Sequence, residues 1–359
     1  MKKLLMSGVV GVLMLLVLHV NSSVALVILQ YHHVSDKTPA STSVTPALFE
    51  QHLAYLESNS FQVLDLSEVR TLLEANKPLP ERAVAITFDD GYLSVYTTAF
   101  PMLAKRKWPF TVFINSQPHD EKNPSYMSWA QLQELVKAGI TIGNHTDSHA
   151  HLIRRAKNES FADFALRREQ EIDFAERRTL KELGVNSKLF AYPFGEYDQQ
   201  LKAILDKKGY IAFGQQSGPV PTKVDLQAIP RFPFGGNYGD IDDFAIKVNS
   251  TSVSQLSFRV ETESGVAINN AELPLGTTKP VLYLSSPVLP YLQPFTCYAS
   301  GQGMIDSKPK GSSIRVQAKQ PVPIGRSKYN CTSPTGDGRY YWWSQLFIRR
   351  NNDGTWGHN

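Results

Sequence analysis

From residue 26 to about residue 245 the chain alternates short, nearly unbroken apolar runs with longer stretches whose apolar positions recur every three or four residues. The runs at 26–31, 84–88, 110–115, 140–143, 189–192 and 211–213 read as strands buried on both faces. Between them, 46–58, 66–75, 94–107, 128–138, 160–183 and 198–208 carry helical spacing. Ser128 with Gln131 gives the fourth of these the form of a capping box. Strand followed by helix, repeated over this length, predicts a parallel sheet closed or nearly closed into a distorted (β/α) barrel. Beyond residue 245 the chain turns rich in Ser, Thr, Pro and Gly, and short β-prone segments are separated by turn residues. The expected fold class is therefore α/β, a distorted barrel over 26–245 followed by a small all-β domain over 246–359.

The first 25 residues stand outside that pattern. Met1-Lys2-Lys3, an apolar stretch over 4–18 and Asn21-Ser22-Ser23-Val24-Ala25 have the form of a secretory signal peptide, with an apolar core short for a membrane span. An uncleaved anchor is the alternative; either way the protein is expected to be secreted or periplasmic. Loss of Lys2 and Lys3 lowers the formal charge from +4 to +2. A near-neutral chain does not point to nucleic acid or to an anionic membrane surface as partner. The two cysteines, Cys297 and Cys331, fall in the β-rich part, and an oxidising compartment favours a single disulfide between them. Asn144-His145-Thr146 and Asn330-Cys331-Thr332 match a glycosylation acceptor but carry no weight, since the signal does not reveal the host.

Candidate chemistry concentrates where the second apolar run ends, in Ala85-Ile86-Thr87-Phe88-Asp89-Asp90-Gly91-Tyr92. Two adjacent carboxylates at a strand end are costly to bury unless a cation or shared proton offsets their repulsion. Taken alone they would serve a turn or a helix cap. Gly143-Asn144-His145-Thr146-Asp147-Ser148-His149 supplies two imidazoles four positions apart, a spacing that puts both on one side of a helical turn. One Asp with two His makes a three-ligand set with positions left for water and substrate, and zinc, cobalt, nickel and iron all accept it. His151 reads as solvated or supporting, and Asp147 as orienting a histidine or capping the turn. The stretch around Arg167-Arg168-Glu169-Gln170-Glu171 and Glu176-Arg177-Arg178 reads as a solvated helix face. Tyr92 and Trp129 line a sugar groove or serve packing, and Tyr340, Tyr341, Trp342, Trp343 and Trp356 pose the same choice.

Thr87-Phe88-Asp89-Asp90-Gly91 and His145-Thr146-Asp147-Ser148-His149 resemble the first two motifs of the polysaccharide deacetylases, the carbohydrate esterase family 4 or NodB-homology domain. Phe190-Ala191-Tyr192-Pro193-Phe194-Gly195 resembles the third. Tyr31-His32-His33-Val34 further resembles the subgroup acting on poly-β-1,6-N-acetylglucosamine. The resemblance implies that Asp90, His145 and His149 bind a divalent metal, zinc first among the candidates, and that Asp89 is the general base. It implies His32 as general acid, with His33 as fallback, and the backbone N–H of Phe194 as oxyanion donor. The third motif's usual arginine is replaced by Ala191, and Arg231 in Ile229-Pro230-Arg231-Phe232-Pro233 is expected to stand in for it. The activity implied is metal-dependent removal of N-acetyl groups from an N-acetylglucosamine polysaccharide, with release of acetate. The β-1,6-linked exopolysaccharide is the first candidate substrate. Chitooligosaccharide or peptidoglycan deacetylation, O-acetyl ester cleavage and non-catalytic sugar binding are the alternatives.

Overall fold

The computed structural model describes residues 26–356 apart from Glu81, Thr222 and Asn270, so the signal segment expected at 1–25 lies outside the described residues. Eight strands form the principal sheet: seven along its main path, β1 (Val27–Tyr31), β2 (Ala83–Phe88), β3 (Thr111–Ile114), β4 (Thr141–Asn144), β5 (Leu189–Ala191), β6 (Ile211–Phe213) and β7 (Phe232–Pro233), and the two-residue strand Gln62–Val63, which pairs in parallel with the start of β2. The seven run in the order β7-β1-β2-β3-β4-β5-β6, every pairing parallel, and curl into a half-barrel. All residues of β1, β2, β3, β5 and β6 are buried, which explains their unbroken apolar character: helices cover one face and the barrel interior the other. Successive residues alternate between the two sides. Leu29, Tyr31, Ile86 and Phe88 join one apolar cluster, and Ile28, Ala85, Phe113 and Phe213 the other.

The helices Pro46–Ser58, Leu66–Glu74, Trp129–Lys137, Phe161–Leu183 and Gln199–Lys207 start where a side chain can take up free backbone N–H groups. Thr45, Asp65, Ser128, Ser160 and Asp198 do so in turn, and Ser128 forms the full reciprocal box with Gln131. The expected single helix over 94–107 is instead a wider turn, Val95–Ala99, running into Phe100–Arg106. Phe100 donates its N–H to Val95, one residue further back than an α-helix requires, just before Pro101, which has no N–H to give. The helix Ile241–Val248 and the two-residue β7 were not expected; β7 is too short to generate any periodicity.

The rest of the chain is a separate antiparallel half-barrel of eight strands, from Ser257–Glu261 to Tyr340–Arg349. Cys297 and Cys331 face each other across adjacent strands and are disulfide-bonded. The hairpin Gly325–Pro334 with Tyr340–Arg349 has two working faces. Tyr329, Cys331 and Phe347 enter the module's own core. Leu346 and Ile348, pointing the other way, enter a cluster with Leu152, Tyr197 and Leu201 of the first half-barrel. Trp342 meets Phe232 of β7 edge-on at 5.0 Å between ring centroids. The β module is thus packed onto the parallel sheet through shared apolar surface and is not tethered at a distance.

Candidate active site

Asp89 and Asp90 leave the C-terminal end of β2. Asp89 donates its N–H to Tyr31 O of β1 at 2.9 Å, so it continues the ladder and inherits a fixed direction. Its side chain is fully buried, and Arg231, also fully buried, grips it with two parallel bonds of 2.7 and 2.8 Å. Gln30 of β1 adds a third donor at 2.6 Å. Arg231 is itself held by Gly214 O at 3.0 Å and Thr87 Oγ1 at 3.2 Å and lies over the Phe113 ring. Burial resists ionisation of Asp89, but the charge of Arg231, with His145 nearby, overcomes that and holds the carboxyl below its usual range. The arginine expected from a late segment is therefore against Asp89, immediately before the strand that pairs with β1.

Asp90 takes a left-handed backbone (φ 73°) and so does Gly91 (φ 78°), and the two swing the second carboxylate out of the sheet. A Cβ at Gly91 would lie 2.9 Å from His119 Nε2, so only glycine fits the close approach. Asp90 Oδ1 is buried and has no hydrogen-bond donor among the described residues; it lies 3.3 Å from His145 Nε2 and 3.4 Å from His149 Nε2. One ligand atom from each of Asp90, His145 and His149 falls within 4.8 Å of the others. His145 Nδ1 meets Ala191 O at 2.7 Å, which fixes its proton on that nitrogen and leaves the Nε2 lone pair aimed inward. Burial and the neighbouring His145 push His149 down to about 4, so it too carries a free lone pair at neutral pH. For His145, burial is outweighed by the pull of Asp90 and Asp89, which act on any cation at Nε2. An ionised carboxylate and two inward lone pairs around an unpartnered oxygen fit a divalent cation.

The imidazoles do not converge through a helical turn, as their spacing suggested. Residues 145–149 form a loop in which Thr146 and His149 are left-handed (φ 71° and 58°). Asn144 Oδ1 accepts from Thr146 N and Thr146 Oγ1 from His149 N, so short side chains brace the loop from within. Glu171 braces it from outside, accepting from the N–H groups of Asp147 and Ser148 and from the Ser148 hydroxyl. This corrects the reading of the 167–178 stretch as a plain solvated face. Glu171 holds the loop, and Arg168, 1% exposed, pairs with Asp198 at 3.0 Å. A 23-residue helix crossing behind the loop needs polar partners there, and charge content alone cannot reveal which charges turn inward.

His32, half-buried, is close enough to Asp89, Asp90 and His149 to act electrostatically on all three. His33 instead stacks on Tyr92 at 3.7 Å, and its Nδ1 lies 3.4 Å from Ser94 Oγ. Phe194 is left-handed (φ 57°) and 37% exposed, its ring edge-on to His149 and stacked on His151. His151 lies outside the cluster, its Nδ1 2.8 Å from Glu196. Asp147 accepts from the Ser116 hydroxyl and bonds no histidine among the described residues. Trp129 donates to Asp120 and lies under Arg178, a packing role. Gln30 was not anticipated; its one sequence signal is a lone amide in an otherwise apolar strand.

With the geometry in place, comparison with known proteins is direct: the family described as polysaccharide deacetylase matches residues 76–213. This chain carries a polysaccharide deacetylase domain. The family comprises hydrolases that act on amide bonds of acetylated sugars. The deacetylase domain is 26% identical over 247 residues to the poly-beta-1,6-N-acetyl-D-glucosamine N-deacetylase of Escherichia coli K12, covering 59% of this chain and 37% of that protein. It is 29% identical over 233 residues to the protein of the same name from Staphylococcus epidermidis, covering 59% of this chain and 78% of the relative. Among solved structures, IcaB from Ammonifex degensii superposes with a TM-score of 0.55 at 26% identity, covering 63% of this chain and 97% of the other. The chain spans 61% and 37% of the first two curated relatives it matches. No helix among the described residues is long and apolar enough to cross a membrane.

Proposed function

We propose that the protein is a metal-dependent N-deacetylase of an N-acetylglucosamine polysaccharide, most simply the β-1,6-linked polymer, and that it works outside the cytoplasm. The observation that carries the reading is the juxtaposition of an Arg231-clamped, ionised Asp89 with the Asp90–His145–His149 cluster. The relatives named for the β-1,6 polymer support the linkage, and the disulfide supports an oxidising compartment.

Asp90, His145 and His149 would hold the divalent cation, which supplies Lewis-acid polarisation of the acetyl carbonyl and acidifies a water. Asp89 is the base that removes a proton from the attacking water. Its depressed basicity follows from Arg231, and the three donors around it leave the carboxylate no freedom to turn away. His32 protonates the departing amine, which must leave as a neutral group. The Phe194 N–H, offered by a left-handed residue at the cluster's edge, stabilises the developing oxyanion. Arg231 positions Asp89 and does not touch the reacting atoms.

The test is acetate release from β-1,6- and β-1,4-linked N-acetylglucosamine oligomers, with and without chelator. The expected result is chelator-sensitive release that returns on adding back a divalent metal, with the β-1,6 oligomers preferred. Binding of either oligomer with no acetate released at any metal loading would overturn the enzyme reading.

A further inference from the structure

Away from the metal cluster, the two half-barrels flank a half-open cavity of about 410 Å³ where the segment after β6 meets the strands Ser257–Glu261 and Tyr340–Arg349. That volume lies within the range of small-molecule sites. Its walls combine aromatic faces with amides: Phe258 and Trp343, 5.1 Å apart, and Gln216, Asn269 and Gln345. Trp342 turns its ring onto Phe232 and Gln216 packs its side-chain amide against Gly214, so the aromatic pair on the module side of the cavity is Phe258 with Trp343. Flat rings beside amide donors and acceptors are what a sugar ring requires, since it offers C–H faces and an equator of hydroxyls. Of the lining cations, Lys202 pairs with Asp225 and Arg259 with Glu261 at 2.8 Å, so Lys223 is the charge that disfavours a free glucosamine ammonium.

The cavity is tied to the active site through one segment. Gly214 O holds the Arg231 side chain, Gln216 O accepts the Arg231 N–H at 3.1 Å, and Gln216 and Ser217 then form part of the cavity wall. Lys328 and Ser344 of the β module anchor Ser217 from the far side. We infer that this cavity is a remote subsite for still-acetylated sugars of the polymer, through which the β module selects long acetylated chains over short or deacetylated ones. The inference rests on the proposed N-deacetylase reading for the identity of its ligand.

Two substitutions test it. Ala267 is exposed on the module side of the cavity, so Ala267→Trp fills the space; Phe258 is half exposed, so Phe258→Ala removes a stacking face without opening the core. For both, kcat/KM on an acetylated hexamer is expected to fall about fivefold through KM, with a disaccharide substrate unaffected. In an Asp89→Asn background, calorimetry should show hexamer binding weakened by a similar factor on adding Ala267→Trp, and a fully deacetylated hexamer binding more weakly than the acetylated one. Unchanged hexamer-to-disaccharide preference and unchanged hexamer binding in both variants would overturn the subsite while leaving the deacetylase reading intact. Hexamer binding that Ala267→Trp abolishes in a protein releasing no acetate would overturn the deacetylase reading and leave the subsite.

Discussion

Asp89 and Asp90 share a peptide bond and meet opposite surroundings. Asp89 sits on sheet-like backbone, fully buried, with a guanidinium and an amide donating to it. Asp90 sits on left-handed backbone with one oxygen facing two imidazoles and no donor. The contrast shows how one dipeptide serves two tasks. A base must be held ionised and immobile yet keep one lone pair for the proton, so the fold fills three of its roughly four acceptor positions; a ligand must keep a lone pair free, so the fold withholds donors from Asp90 Oδ1. Alternation along the strand starts the separation, and the Asp90-Gly91 turn completes it.

The contrast breaks most severely at Arg231. Arg231→Ala leaves a buried carboxylate unpaired, and urea unfolding should record a loss of about 3–5 kcal/mol together with loss of turnover. Asp90→Asn acts on the cation instead: metal affinity by titration calorimetry should fall about 100-fold or more, because the ligand set loses its one anionic oxygen. A smaller effect is expected from Gln30→Leu, which deletes one bond to a charged group and should cost about 1.5 kcal/mol while leaving metal affinity near that of the parent. An unchanged stability there would mean that Arg231 alone sets the state of Asp89.

The smallest effect is in the pH dependence of the metal-free protein. His149 is depressed to about 4, so the unfolded chain binds its proton first. That contribution is present above the ordinary histidine value near 6.5 and is lost as pH falls towards 4. His145 is raised, so its contribution is present below 6.5 and is lost as pH climbs through its folded value. Stability should therefore peak near pH 6.5, each limb sloping by at most about 1.4 kcal/mol per pH unit. His149→Ala should flatten the acid limb and His145→Ala the alkaline one. Equal slopes in all three proteins would mean that neither imidazole is perturbed as described.

Much of this architecture is legible along the chain because both faces of the parallel sheet are buried. Runs such as Val27–Tyr31 and Ala83–Phe88 then stand out against helices that announce their starts through Thr45, Asp65 and Ser128. The carboxylate pair and the two histidines were legible as chemistry because adjacent acids at a strand end demand a cation. Three features were not. The loop carrying His145 and His149 depends on left-handed residues and on Glu171 from a distant helix. The inward turn of Arg168 depends on what that helix crosses. The support from Gln30 depends on β1 and β2 pairing in one register, Gln30 opposite Thr87 and Tyr31 opposite Phe88.

The sequence by itself determined the strands, the helices, the disulfide pair and the kinds of side chain available for chemistry, because periodicity and residue type are local properties. Only the tertiary structure decided that Arg231, just before β7, would close on Asp89, since the strand order is what makes β7 the parallel neighbour of β1. It also decided that the β module would wall a cavity beside the active-site segment. Contacts between residues 142 positions apart are set by strand order and sheet curvature, and no local pattern encodes either.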